Sequence, residues 1–256
     1  WHAWQLLLQT AFRSSAQTGN FLAERPQFYK TGTAYRSEPV PPYDARVLAQ
    51  ALDSLLSAAP ALGADDNYRY DVVNLTRQVL GQLAVPLVTE VQDAYTRRDG
   101  AALTALEGRI VGLLGDLDTL VATRKEFLLG RWISDARAWG RTDAERRLYE
   151  WNARNIITLW GTKCTEGQND DLNLYAFKEW AGMYSSYFLP RWREFFVRLD
   201  HSLATGAPFD RAPFARDMCV WEQKWSHAQT PFSTEPTGEP VATAERLWTK
   251  YRAQLH

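Results

Sequence analysis

Apolar residues recur every third or fourth position through most of the chain, the spacing of a helix that buries one face. The pattern is clearest at Val72, Leu75, Val79, Leu83, Leu87, Val91 and Tyr95. It predicts one long helix kinked at Pro86, whose ring removes a backbone donor. After a turn at Asp99 and Gly100, Leu103, Leu106, Ile110, Leu113, Leu117 and Leu120 repeat the pattern. So short a connection makes the two helices antiparallel neighbours. Upstream, Val47, Leu48, Leu52, Leu55 and Leu56 predict a shorter helix that stops ahead of Pro60.

Downstream, Phe127, Leu128, Trp132, Ile133, Ala136 and Trp139 keep helical spacing as far as Gly140. Thr142 and Glu145 then form a Thr-x-x-Glu capping box, which opens a helix running through Leu148, Tyr149, Trp151, Asn152 and Ile156 to about Trp160. A polar stretch over 161–171 interrupts the pattern. It resumes over 174–203, with Pro190 expected to bend or divide that helix. Trp221 and Trp225 lie one helical turn apart, and 242–255 reads as a terminal helix with Leu247, Trp248 and Tyr251 inward.

The opening segment places Trp1, Trp4, Leu7, Leu8 and Phe12 at helical spacing, which predicts a core-facing helix. No N-cap precedes it, so it reads as cut from something upstream. Over 18–43, Gly19, Pro26, Gly32, Pro39, Pro41 and Pro42 break the periodicity, while Phe21, Phe28, Tyr29, Tyr35 and Tyr43 offer something to bury. This predicts a long ordered loop. No strand alternation of useful length and no repeat period compete with these segments. The expected architecture is all-α: a non-repeating multi-helix bundle forming a single domain over 1–256.

Composition narrows the function classes. With 45% hydrophobic and 23% charged residues the chain has enough apolar surface to build a core, and its net charge of -1 excludes the basic footprint that nucleic acid requires. No stretch approaches the roughly 18 to 20 apolar residues of a membrane span. The four histidines, His2, His201, His227 and His256, have no partners at metal-ligand spacing, so no metal or cofactor is expected. Cys164 and Cys219 are too few for a disulfide framework, and their redox state stays open. The pairs Asp65-Asp66 and Asp170-Asp171 lack the third acid, one helical turn on, that the metal motif of helical terpene synthases would need, and read as solvated charge. Asn74-Leu75-Thr76 matches a glycosylation sequon but falls mid-helix, where a chance match is the simpler reading. Trp160 lies where a helix gives way to a loop; taken alone, a tryptophan there packs more often than it binds.

Four ordered blocks nevertheless carry a resemblance. Residues 70–78 (YDVVNLTRQ) resemble the YDLVDLTRQ run of glycoside hydrolase family 89, the α-N-acetylglucosaminidases, and residues 127–132 (FLLGRW) resemble its FLLGRWL. Residues 149–154 (YEWNAR) with 158–161 (TLWG), and residues 189–192 (LPRW), resemble two further family blocks, while residues 3–8 (AWQLLL) look like the helix that follows the catalytic domain. The resemblance implies an all-helical C-terminal domain that packs on a catalytic barrel of the same enzyme. It places the two catalytic glutamates upstream of residue 1, so Glu145, Glu150, Glu179 and Glu194 inherit neither role and the chain alone is expected to be inactive.

The resemblance also implies that Trp160 and Tyr175, with Leu172 as a neighbouring apolar wall, face a terminal α-linked N-acetylglucosamine of the glycan substrate. Asn152 and Arg154 are then expected to brace that pocket from behind as buried polar groups. Where the family has Asp-Tyr-Ala-Asn this chain has Leu174-Tyr175-Ala176-Phe177, and the loop over 161–171 is longer. Family members enter lysosomes in animals and are often exported in bacteria, so an extracytoplasmic location is implied. A non-catalytic interaction scaffold is the alternative reading.

Overall fold

A computed structural model describes residues 1–13, 20–28, 43–161, 164, 176 and 178–255. Its elements are α1 (His2–Gln9), a 3-10 turn (Phe21–Ala23), α2 (Ala45–Leu56), α3 (Ala59–Leu62), α4 (Asp66–Gly81), α5 (Ala84–Thr96), α6 (Gly100–Val121), α7 (Leu129–Ala138), α8 (Asp143–Ile156), a π turn (Tyr184–Phe188), α9 (Leu189–Thr205), α10 (Arg211–His227) and α11 (Pro240–Tyr251). Among the described residues there is no sheet; one parallel bridge joins Leu128 to Ala181. The all-α, non-repeating architecture is as expected.

The spine is α6, which turns Leu103, Leu106, Ile110, Leu113, Leu117 and Leu120 into the core and packs against α4, α5, α9 and α11. Its start is fixed by Asp99, whose side chain accepts the backbone N–H of Ala102 at 2.9 Å, an N-cap at the tight α5–α6 connection. Asp65 caps α4 in the same way through Tyr68 N–H at 2.8 Å, and Asp66 pairs with Arg124 at 2.6 Å. Neither carboxylate of that pair holds a metal-site geometry. Asp170 and Asp171 lie outside the described residues. Thr76 of the sequon match is buried in mid-α4.

Two helix boundaries differ from their expected places, one of them because of a proline. The single helix expected to kink at Pro86 is two helices, parted at Gln82 and Leu83. Pro86 has no N–H for the carbonyl of Gln82, four residues back, so a new helix restarts with the proline in its first turn. Over 174–203, Lys178 to Trp180 are not helical, and the chain turns at Gly182 with φ +89°. Pro190 sits at the start of α9, directly after the π turn, where Leu189 N–H reaches back to the Tyr184 carbonyl. The widened turn takes the place of the bond that Pro190 cannot make.

The expected core face of α1 is also corrected. Leu7 and Ala3 are buried, but Trp1, Trp4, Leu8 and Phe12 are exposed. Helix α7 starts only at Leu129, so Phe127 and Leu128 precede it, and Trp139 stands in solvent at its end. Of the expected long loop, residues 18, 19 and 29–42 lie outside the described residues. Its first part is held tightly: Trp192 Nε1 donates to Leu22 O at 2.8 Å and Arg191 donates to Ala23 O at 2.7 Å. Phe28 packs edge-on against Phe195 and Phe209.

Candidate functional site

Trp160 lies just past the C-terminal end of α8. That helix begins with the expected capping box: Thr142 Oγ1 accepts Glu145 N–H at 3.2 Å, and Glu145 Oε2 accepts Thr142 N–H at 3.1 Å. Cap and dipole together fix the helix start, so the placement of its far end follows from local chemistry.

The inner face of α8 carries Glu150 and Arg154, one turn apart. Arg154 has no exposed surface; it donates to Glu150 Oε1 at 3.1 and 2.8 Å and to Thr230 O at 2.7 Å. Burial pushes the Arg154 pKa down, while the Glu150 carboxylate pulls the other way. The guanidinium also lies 5.0 Å from the Trp225 ring and 5.1 Å from the Phe232 ring, which ties α8 to α10 and to the segment beyond it. Trp151 stacks on His227 of α10 at 5.3 Å, a second tie between the two helices.

At the outlet the backbone reverses. Trp160 N–H closes onto Asn155 O at 2.7 Å and Gly161 N–H onto Asn155 Oδ1 at 3.4 Å. Trp160 has φ +52° and Gly161 has φ +83°. Glycine adopts this left-handed region freely, but a tryptophan there costs about 1–3 kcal/mol. Its neighbours hold it: Ile157, Thr158 and Leu159 are buried, and Thr158 Oγ1 donates to Arg154 O at 2.7 Å. Trp160 itself is half-buried. Three residues past Gly161, Cys164 forms a disulfide with Cys219 of α10.

Of the residues singled out from sequence, Trp160 and Arg154 are thus part of one rigid unit. Tyr175 and Leu172 lie outside the described residues. Asn152 is corrected: it is exposed rather than buried behind the site. It shares a shallow groove between α7 and α8 with Trp132, Trp139, Tyr149 and Ile156. Glu150, read from sequence only as an acid without a catalytic role, is the partner that makes Arg154 tolerable inside the protein, and its four-residue spacing from Arg154 is the local signal of that pairing.

Among the described residues, three acids singled out from sequence are held in ion pairs. Glu150 also binds Arg137 at 2.5 Å, Glu179 binds Arg77 at 2.9 Å and accepts the Tyr184 hydroxyl at 2.7 Å, and Glu194 binds Arg198 at 2.7 Å. Among the described residues no group of three or more His, Cys, Asp or Glu could hold a metal ion. The site can present an apolar aromatic face.

Comparison with known proteins bears on this arrangement. The family model described as the alpha-N-acetylglucosaminidase (NAGLU) C-terminal domain matches residues 1–250. Human alpha-N-acetylglucosaminidase is 32% identical over 255 residues, covering 97% of this chain and 33% of that protein. Among solved structures, a family 89 glycoside hydrolase from Clostridium perfringens in complex with PUGNAc superposes with a TM-score of 0.84 at 24% identity, over 97% of this chain and 29% of its own. A substituted Clostridium perfringens enzyme bound to its substrate GlcNAc-alpha-1,4-galactose gives a TM-score of 0.85 at 22% identity, over 99% and 30%. The chain therefore spans about a third of the length of these relatives.

Proposed function

The chain belongs to the α-N-acetylglucosaminidase C-terminal domain family, and we propose that it serves as the helical third of a glycoside hydrolase, lining a pocket whose catalytic groups lie on another domain. The observation that carries the pocket assignment is Trp160, half-buried and held at φ +52°. Backbone strain of this kind persists where surrounding structure over-determines it, and it clusters at ligand sites. The buried Glu150–Arg154 pair, the Asn155 closure and the Cys164–Cys219 bond supply that surrounding structure. An indole face suits the C–H groups of a sugar or an acetamide methyl.

On this reading the substrate is a glycan ending in α-linked N-acetylglucosamine. Tyr175 and Leu172 complete the wall, by resemblance to the family block. Arg154 braces Trp160 from beneath, and the partner is the catalytic barrel of the same polypeptide. No helix among the described residues is long and apolar enough to cross a membrane. The disulfide favours an extracytoplasmic, oxidising location.

Trp160→Gly separates binding from folding. Glycine relieves the left-handed strain, so the thermal midpoint of the longer enzyme is expected to hold or rise. Without the indole, kcat/KM on an aryl α-N-acetylglucosaminide is expected to fall about ten- to a hundredfold. Unchanged kinetics with unchanged folding would remove Trp160 from the pocket.

A further inference from the structure

A cleft of about 270 Å³ opens between α1, α2 and α4, helices that carry none of the groups around Trp160. One wall is aromatic. Trp4 and Phe12 are both exposed and stack ring on ring, with centroids 5.9 Å apart and planes 17° apart. Another wall is a polar row on α4. Asp71, Asn74 and Gln78 follow one another at three- and four-residue spacing, so they share one face of the helix, and all three are half-buried. Tyr43 adds a hydroxyl, to which Gln78 Nε2 donates at 3.4 Å.

What these groups already hold decides what they can take. Arg77, beside them, is neutralised by Glu179 at 2.9 Å and donates to Asn74 Oδ1 at 2.9 Å. That bond uses the Asn74 carbonyl and leaves its amide NH2 group as a donor. Gln78 is the converse, with its nitrogen on Tyr43 and its Oε1 left as an acceptor. Among the described residues no hydrogen bond or ion pair reaches the Asp71 carboxylate, and burial together with the charge of Asp65 pushes its carboxyl above the ordinary range. A half-buried carboxylate in that state carries a desolvation cost that a ligand's donors would offset. An anion would meet the Asp71 charge and an arginine already matched, and an ammonium group would leave the Asn74 donor unused. A neutral polyol satisfies the whole row, because each hydroxyl both donates and accepts. A pyranose also has a C–H face that lies flat on an indole. The cleft has the volume of about nine waters, the scale of one sugar ring and not of a drug-sized ligand.

We infer that the cleft between α1, α2 and α4 is a further saccharide-binding site, in which one neutral pyranose ring stacks on Trp4 and is held through its hydroxyls by Asp71, Asn74 and Gln78. The assignment goes beyond the role given to Trp160 and does not rest on it.

Saturation-transfer NMR on the longer enzyme tests it, with the methyl glycosides of glucose, galactose and mannose as probes. These lack the acetamide group of the proposed substrate, so they are expected to leave turnover of an aryl α-N-acetylglucosaminide uninhibited. At least one is expected to bind with a Kd of about 1 mM. Trp4→Ala and, separately, Asp71→Asn are each expected to weaken that binding about tenfold, while Trp160→Gly leaves it unchanged. Trp4 is exposed and Asn keeps the shape of Asp71, so the circular dichroism of both variants should match that of the wild type. No binding by any of the probes, or binding that survives both substitutions, would overturn the proposal. So would tighter binding of methylammonium that Asp71→Asn abolishes, since the cleft would then belong to a cation. A glycoside that inhibits turnover and loses its signal in Trp160→Gly would report the Trp160 pocket instead, and would also overturn it. If the cleft binds as expected while Trp160→Gly leaves kinetics unchanged, only the Trp160 assignment fails.

Discussion

Glu222→Gln is expected to destabilise the domain by roughly 3–5 kcal/mol, the effect of leaving a buried cation without its counter-charge. Glu222 has no exposed surface; its carboxylate binds Arg191 at 2.9 Å and Arg25 at 2.6 Å. Arg191 is equally buried and also donates to the carbonyls of Ala23 and Tyr187. Neither arginine can lose its proton, so neutralising Glu222 strands positive charge between α9, α10 and residues 23–25. The urea midpoint should fall with little change in slope. Glu194→Gln is the control: its pair with Arg198 is partly solvated, and the expected change is within about 1 kcal/mol. Equal, small shifts from both substitutions would show that the buried triad contributes nothing beyond a surface pair.

The same group sets an acid limit. Burial alone would push the Glu222 carboxyl up, but the charges of Arg25 and Arg191 and their hydrogen bonds outweigh it and hold the pKa below the ordinary value of 4.5. A group depressed on folding contributes stability that is fully present above its unfolded pKa and is lost as pH falls through the folded one. The wild-type domain should therefore lose stability progressively below about pH 4.5, and the Glu222→Gln domain should lose less over that window.

Opening the Cys164–Cys219 bond is the second large effect. The bond spans 55 residues, and releasing a loop of that length from the unfolded chain corresponds to about 4 kcal/mol in the chain-entropy treatment. For a domain of this size the thermal midpoint should drop by roughly 10 °C. A Cys164→Ser, Cys219→Ser double variant should start from the lower midpoint and show no response to reductant. Because Cys164 anchors the chain just beyond Trp160, the reduced enzyme is also expected to show a higher KM before its fold is lost. A wild-type midpoint that ignores reductant would contradict the assigned bond.

Local chemistry explains which features were readable from the chain. The α5–α6 hairpin and the α8 capping box were legible because turn, cap and apolar period agree within a few residues. The break at Gln82 and Leu83 was legible in principle: a proline disables the carbonyl four residues earlier, which places a gap there rather than a kink at Pro86 itself. The exposure of α1 was not, since periodicity shows which positions are apolar and not which domain covers them. Asn152 and Arg154 are two residues apart, about 200° around a helix, so both could not brace the site from the same side. Their opposite placement was implicit in the spacing. The pairing of Cys164 with Cys219 and of Glu222 with Arg25 and Arg191 depends on contacts between distant segments, and no local pattern announces them.

What matters most is whether chemistry resides on this domain or on its neighbour. The 256-residue chain, shown to be folded by circular dichroism, can be assayed at high concentration for release of 4-nitrophenol from 4-nitrophenyl α-N-acetylglucosaminide beside the longer enzyme. With its buried acids bound to arginine and its candidate pocket offering an indole face, it should give no release above buffer while the longer enzyme turns over. Turnover by the 256-residue chain itself would contradict a wall-forming role.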